Sequence, residues 1–217
     1  MILIPVKNLA TAKQRLASIL SQPVRTELAQ AMLLDVLEAV AKWSNRPAVS
    51  VVTSDSFAVE AAQHFEFDLI ADNENRSETD AIEMATMICQ ARGVGYTLVI
   101  PADIPLVQAW ELEKIVTSAP ERGSVLVPAG DGRGTNAAFR RPAGLFSLRF
   151  GNDSFKPHLA AARATGLQCT ILSLPGIALD IDNPADLRQL AEAPGDTRAQ
   201  RLARQWDWNA VSLAANE

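Results

Sequence analysis

The apolar positions of the chain alternate between two patterns. Short apolar, largely β-branched runs read as buried strands: Ile2-Leu3-Ile4-Pro5-Val6, Val49-Ser50-Val51-Val52-Thr53, Asp68-Leu69-Ile70-Ala71, Tyr96-Thr97-Leu98-Val99-Ile100 and Ser124-Val125-Leu126-Val127-Pro128. Between them, apolar residues recur at helical spacing. Leu28, Met32, Leu33, Val36, Leu37 and Val40 predict a helix within 24–43. Ile82, Ala85, Ile88 and Cys89 predict another that starts near Glu78 and stops at Gly93 and Gly95; Leu112, Ile115 and Val116 mark a third. Ser54-Asp55-Ser56 is a polar loop able to cap a helix. This alternation predicts an α/β fold, a three-layer, mostly parallel sheet with helices on both faces.

Beyond Asn136 the alternation loosens. Asn136–Phe139 predicts a short strand, Ser154–Thr165 a helix, Thr170–Leu174 a strand, and Pro184–Leu190 a short helix with Pro near its first position. The expected organisation is one domain over 1–192 and a tail over 193–217. The tail contains an Arg-rich helical segment with Trp206 and Trp208, packing on the body or on a second subunit as a homodimer contact.

Composition narrows the function classes. The 217 residues carry 20 Lys+Arg against 25 Asp+Glu, a net charge of −5. An acidic chain lacks the basic field that general nucleic-acid or anionic-membrane binding requires. The start of the chain lacks the basic leader and long apolar stretch of a signal peptide, and no run reaches the ~18 apolar residues of a membrane span. Cys89 and Cys169 stand far apart without metal-ligand spacing, as expected of reduced thiols in a cytoplasmic protein.

In such sheets ligands bind at the carboxyl ends of the strands, and unusual residues follow several of the strands here. Pro5-Val6-Lys7 leads into a turn with three cations, Lys7, Lys13 and Arg15, suited to a phosphate chain or to a solvated helix start. No GxxxxGK[ST] or GxGxxG motif is present. Pro101-Ala102-Asp103-Ile104-Pro105 fixes Asp103 between prolines, where it would hold Mg²⁺ or cap the next helix. Asp180 and Asp182 share a side of an extended segment, and one of them would complete the metal shell. Gly130-Asp131-Gly132-Arg133-Gly134 allows close backbone approach, and Thr135 and Asn136 add side-chain hydrogen bonds. Gly151 and Ser154 lie at a helix start suited to an anion, and His158 lies one turn further on the same side as Ser154.

The ordered set PVKNLATAKQRL, PADIPL, GTN, FGNDSFKPHLAAA and LDIDNPADL resembles the phospholactate guanylyltransferases of the MobA-like nucleotidyltransferase superfamily, from residue 2 to about 190. These enzymes make a precursor of the 8-hydroxy-5-deazaflavin cofactor. The resemblance implies that GTP and a three-carbon phosphorylated acid (2-phospho-L-lactate, phosphoenolpyruvate or 3-phospho-D-glycerate) give a guanylylated acid and pyrophosphate. It further implies Lys7 and Lys13 on the triphosphate, Mg²⁺ on Asp103 with Asp180 or Asp182, and Thr135, Gly151 and Ser154 on the acid. The acid's phosphate is itself the nucleophile, so neither a protein nucleophile nor a general base is needed. Where the family has a Gly-Leu-Asn segment at the base, this chain has Arg76-Ser77-Glu78-Thr79-Asp80-Ala81-Ile82. Ser77 and Asp80 there form a capping pattern. Glu78 or Asp80 would accept from a guanine amino group, or the segment selects another base. The alternatives are a nucleotidyltransferase with another base or a sugar-phosphate or molybdopterin acceptor, and a non-catalytic nucleotide-binding protein.

Overall fold

The structure, a computed structural model, describes residues 1–206 apart from residues 75 and 152. The strands are β1 (Ile2–Val6), β2 (Val49–Thr53), β3 (Asp68–Ala71), β4 (Thr97–Val99), β5 (Gly123–Pro128), β6 (Thr135–Arg141) and β7 (Gln168–Ile171). They form one sheet in the order β3-β2-β1-β4-β6-β5-β7. Neighbours are parallel except for β6, which is antiparallel to both β4 and β5. The helices are α1 (Gln22–Ala41), α2 (Ser56–His64), α3 (Glu78–Ala91), α4 (Ala109–Thr117), α5 (Phe155–Ala164), α6 (Pro175–Ala178), α7 (Pro184–Glu192) and α8 (Arg198–Ala203).

Side chains alternate across a strand, so each strand feeds both faces of the sheet. Ile2, Ile4, Val51, Leu98, Val125 and Phe139 point into a larger core closed by α1, α2, α4, α7 and α8. Leu3, Val52, Val99, Leu126 and Ala138 point into a smaller one, closed by Ile82, Ala85 and Cys89 of α3 and Ala162 of α5. Helices on both faces give the expected three layers.

The departures are local. The segment expected to be a short strand is the seven-residue β6, paired with β5 as a hairpin. The strand expected at Thr170–Leu174 lies at Gln168–Ile171, and α6, four residues long, follows it. Past residue 192 the chain returns to the body. Asp35 of α1 accepts from the N–H groups of Arg198 (3.0 Å) and Ala199 (2.9 Å), capping α8. Ala199, Ala203 and Trp206 pack on the larger core. Trp208 and its expected homodimer contact lie outside the described residues. No helix among the described residues is long and apolar enough to cross a membrane.

Candidate active site

The carboxyl ends of β1 and β4, the β5–β6 turn and the α6–α7 connection meet at one edge of the sheet. Behind β1 the chain makes two 3₁₀ turns, Leu9–Thr11 and Gln14–Leu16, and between them Lys13 adopts the left-handed conformation (φ 55°, ψ 44°). That costs a non-glycine residue roughly 1–2 kcal/mol, and its side-chain contacts offset it. Lys13 Nζ donates to Asp103 Oδ2 (2.6 Å) and Asp182 Oδ1 (3.1 Å). Arg15 Nη1 donates to Asp182 Oδ2 (3.0 Å). The two acidic segments are joined through their backbones, with Ile181 N–H donating to Asp103 O (3.1 Å). Burial would lower the Lys13 ammonium, but Asp103 and then Asp182 outweigh it and hold its pKa above the ordinary value.

Two cavities adjoin here. The larger, about 470 Å³, is lined by Thr135, Asn136, Gly151, Ser154, Asp180 and Asp182, with Arg15 and Arg133. Gly151 has φ +132°, backbone that only glycine adopts readily, and this brings the chain to the cavity wall. The smaller, about 260 Å³, is lined by Pro5, Val6, Lys7 and Lys13 under Ala29 and Met32 of α1. Glu78, Pro101 and Asp103 line both and form the partition between them.

The partition region is rich in carboxylates. Burial, then the nearby Asp103, pushes Glu78 up to about 7, against the pull of Lys13 and Lys7. Burial raises Asp180 to about 6, with Asp103 and Asp182 adding to the rise and the hydrogen bond from Asn136 Nδ2 (2.9 Å) opposing it. Each negative charge gathered here makes the next one costlier. An oxygen-seeking cation fits such a donor set, and Lys13 already sits between two of its members. Among the described residues no three His, Cys, Asp or Glu side chains gather closely enough to hold a metal alone. A Mg²⁺ ion needs one or two carboxylates and completes its shell with phosphate oxygens and water.

Comparison with known proteins gives the family. A family model, Guanylyl transferase CofC like, matches residues 1–210. The chain belongs to that family. The phosphoenolpyruvate guanylyltransferase of Roseiflexus castenholzii is 35% identical, over 94% of this chain and 93% of its own. The 2-phospho-L-lactate guanylyltransferase of Methanothermobacter thermautotrophicus is 32% identical, over 94% and 89%. A solved structure from Desulfovibrio desulfuricans G20, described as a nucleotide-diphospho-sugar transferase, shares the fold with a TM-score of 0.75 at 18% identity, over 99% of this chain and 96% of that one. As a CofC-like guanylyl transferase family member, the protein is a nucleotidyltransferase enzyme of MobA-like fold.

Not every expected site residue faces the cavities of this CofC-like chain. Ser77 and Asp80 line neither: Ser77 Oγ accepts from Asp80 N–H (3.0 Å) and donates to Asp80 Oδ2 (2.7 Å), so the pair caps α3 at the surface. Of the two acidic candidates in that segment, Glu78 is the one turned inward. His158 stands behind Thr135, with Nδ1 2.9 Å from Thr135 Oγ1. Lys7 lines the smaller cavity but pairs with Asp72 (2.6 Å), a buried residue just past β3 that sequence reasoning missed. The edge is not simply cationic either. Lys7, Lys13, Arg15 and Arg133 are all ion-paired, Arg133 with Asp131 (2.8 Å), and Lys156 is exposed outside both cavities.

Proposed function

We propose that the protein transfers the guanylyl group of GTP to a three-carbon phosphorylated acid, with phosphoenolpyruvate the favoured acid. The observation that carries this reading is the pair of cavities meeting at Asp103. One is lined by the cationic turn after β1, the other by hydroxyls and backbone from the β5–β6 turn and the start of α5. Relatives named phosphoenolpyruvate guanylyltransferases stand at 31–37% identity, and two named for 2-phospho-L-lactate stand at 32% and 25%. The triphosphate lies along Lys7 and Lys13, beside Pro5, Val6 and Pro101. The acid lies against Thr135, Gly151 and Ser154.

An oxygen of the acid's phosphate forms the new bond to the α-phosphorus of GTP, and the bond from that phosphorus to the bridging oxygen of pyrophosphate breaks. The nucleophile is already anionic, so the protein supplies alignment and charge neutralisation rather than a base. Asp103 with Asp180 or Asp182 would hold Mg²⁺. Asp180 is the better second ligand, because it has no cationic partner among the described residues. When bound, the ion would neutralise phosphate charge, and the Lys13 ammonium would donate to the triphosphate. Glu78, at the partition, is the residue placed to accept from the purine edge. The product would serve deazaflavin cofactor assembly in the cytoplasm.

The test incubates the protein and Mg²⁺ with each of four nucleoside triphosphates and each of the three acids, and follows pyrophosphate. GTP with phosphoenolpyruvate is expected to release it fastest. Release from no pair overturns the reading; release with ATP or CTP but not GTP overturns the base alone.

A further inference from the structure

Thr135 and Ser154 present buried hydroxyls to the larger cavity, with 5% and 4% of their surface exposed. A hydroxyl donates once and accepts up to twice, so what it offers a ligand depends on which role the protein has already used. Ser154 Oγ accepts from Thr135 N–H (3.1 Å). Behind Thr135, His158 is 1% exposed and held on both sides. The Arg149 N–H donates to its Nε2 at 2.7 Å, and its Nδ1 stands 2.9 Å from Thr135 Oγ1.

A backbone N–H aimed at Nε2 requires that nitrogen to be bare. Burial, reinforced by the Arg140 guanidinium, holds the ring neutral by lowering its pKa to about 4. A neutral imidazole carries one proton, which is then on Nδ1 and is donated to Thr135 Oγ1. The ring plane is fixed by Phe150, edge-on with centroids 5.2 Å apart, and the backbone by His158 N–H donating to Ser154 O (3.0 Å). Both hydroxyls therefore accept from a protein N–H. Neither has an acceptor for its own proton among the described residues.

We propose that His158 is a positioning residue: locked as the Nδ1–H tautomer, it makes Thr135 a donor, so that Thr135 and Ser154 together offer two O–H groups to an oxyanion of the acid. The proposal rests on the acid site of the preceding reading, and its test can fail separately. Two isosteric halves of the imidazole divide its contacts. The amide nitrogen of asparagine matches Nδ1 and can still donate to Thr135. The amide oxygen of glutamine matches Nε2 and can still accept from Arg149 N–H, but glutamine leaves Thr135 without its donor.

His158→Gln is expected to raise the KM for the acid about tenfold, the worth of one oriented hydrogen bond, with the KM for GTP unchanged. His158→Asn is expected to keep the acid KM within about threefold of wild type. Inhibition by pyruvate and by inorganic phosphate identifies the oxyanion, since the inhibitor weakened by His158→Gln is the one whose group sits there. Equal acid KM values in the two variants overturn the proposal. So does an unchanged KM in His158→Gln, or inhibition by both probes unaffected by it. If wild type transfers to none of the acids, the functional reading fails, and ¹⁵N NMR of the free protein still decides the tautomer. Of its two imidazoles, His64 is exposed and His158 buried, and His158 is expected to show a protonated Nδ1 and a bare Nε2. A protonated Nε2 on His158 overturns the proposal.

Discussion

Asp103 holds its carboxylate against Lys13 while lining both cavities, and no other described side chain combines these positions. Asp103→Asn keeps the shape and removes the charge. It should lower turnover at least a hundredfold, the scale on which positioned charge acts in a transition state, with a circular dichroism spectrum and melting temperature close to wild type. A variant that turns over near the wild-type rate would remove Asp103 from the proposed metal site. His158 makes a different prediction, about stability. Unfolded, it titrates near 6.5; folded, at about 4. Between those values only the unfolded chain binds the proton. The contribution is complete above about 6.5 and is lost as pH falls toward 4, on the order of 3 kcal/mol. Glu78 at about 7 and Asp180 at about 6 act in the opposite sense, because a raised carboxylate gains stability as pH falls. The decisive quantity is therefore the difference in urea stability between wild type and His158→Gln at pH 7, 5.5 and 4.5. That gap should narrow with falling pH, and a constant gap would contradict the assignment. At this scale the sequence exposed Lys13, Asp103 and Asp182, since each polar group follows an apolar run. It concealed Asp72, whose partner Lys7 is 65 positions away with no shared local pattern. It also could not say which side of α3 Glu78 occupies.

Among the elements, the α6–α7 connection delivers Asp180 and Asp182, and Gly176 sets its place. Gly176 N–H donates to Glu111 Oε1 of α4 (2.8 Å), and a Cβ at residue 176 would lie 2.3 Å from Glu111 Oε2 and 2.4 Å from Leu106 O. A methyl group there has to push α6 away from α4 and carry the acidic segment with it. Gly176→Ala should cost about 2–3 kcal/mol in urea unfolding, within the usual range for overpacking, and should lower kcat. Gly95→Ala, with nothing within 4 Å of the added carbon, should stay within about 0.5 kcal/mol of wild type. Equal effects of the two would show that close packing at Gly176 does not hold the segment. Helix α6 itself was invisible in the sequence because four residues make barely one turn and show no periodicity. The direction of β6 was legible in principle. Residues 129–134 are too few for a crossover between parallel strands, which takes a dozen or more. The run Asn136–Phe139 identified a strand without revealing which way it ran. By contrast, α1, α3 and α5 repeat their apolar positions over several turns, and their predicted bounds lie within a few residues of the observed ones.

Across the whole molecule, the net charge of −5 is not compensated by a basic cleft. The larger cavity carries Glu78, Asp103, Asp131, Asp153, Asp180 and Asp182 against Arg15 and Arg133. A triphosphate brought into this field alone would meet carboxylates whose cations are already engaged. Under the proposed function, a divalent ion held by these carboxylates would change the balance, and Lys13 would turn toward the nucleotide. Metal and nucleotide should therefore bind as a unit, which thermal stability reports through linkage. A ligand at about 100 times its Kd stabilises the folded state by about 2.7 kcal/mol, a shift of several degrees for a domain of this size. Mg²⁺ with GTP should produce such a shift, whereas GTP in EDTA, or Mg²⁺ alone, should move the melting temperature by less than about a degree. Asp103→Asn should lose most of the combined shift while melting near wild type when free. If GTP in EDTA stabilised the protein as strongly as GTP with Mg²⁺, the carboxylates at the partition would not repel the triphosphate, and the raised pKa values of Glu78 and Asp180 would belong to packing rather than to metal binding.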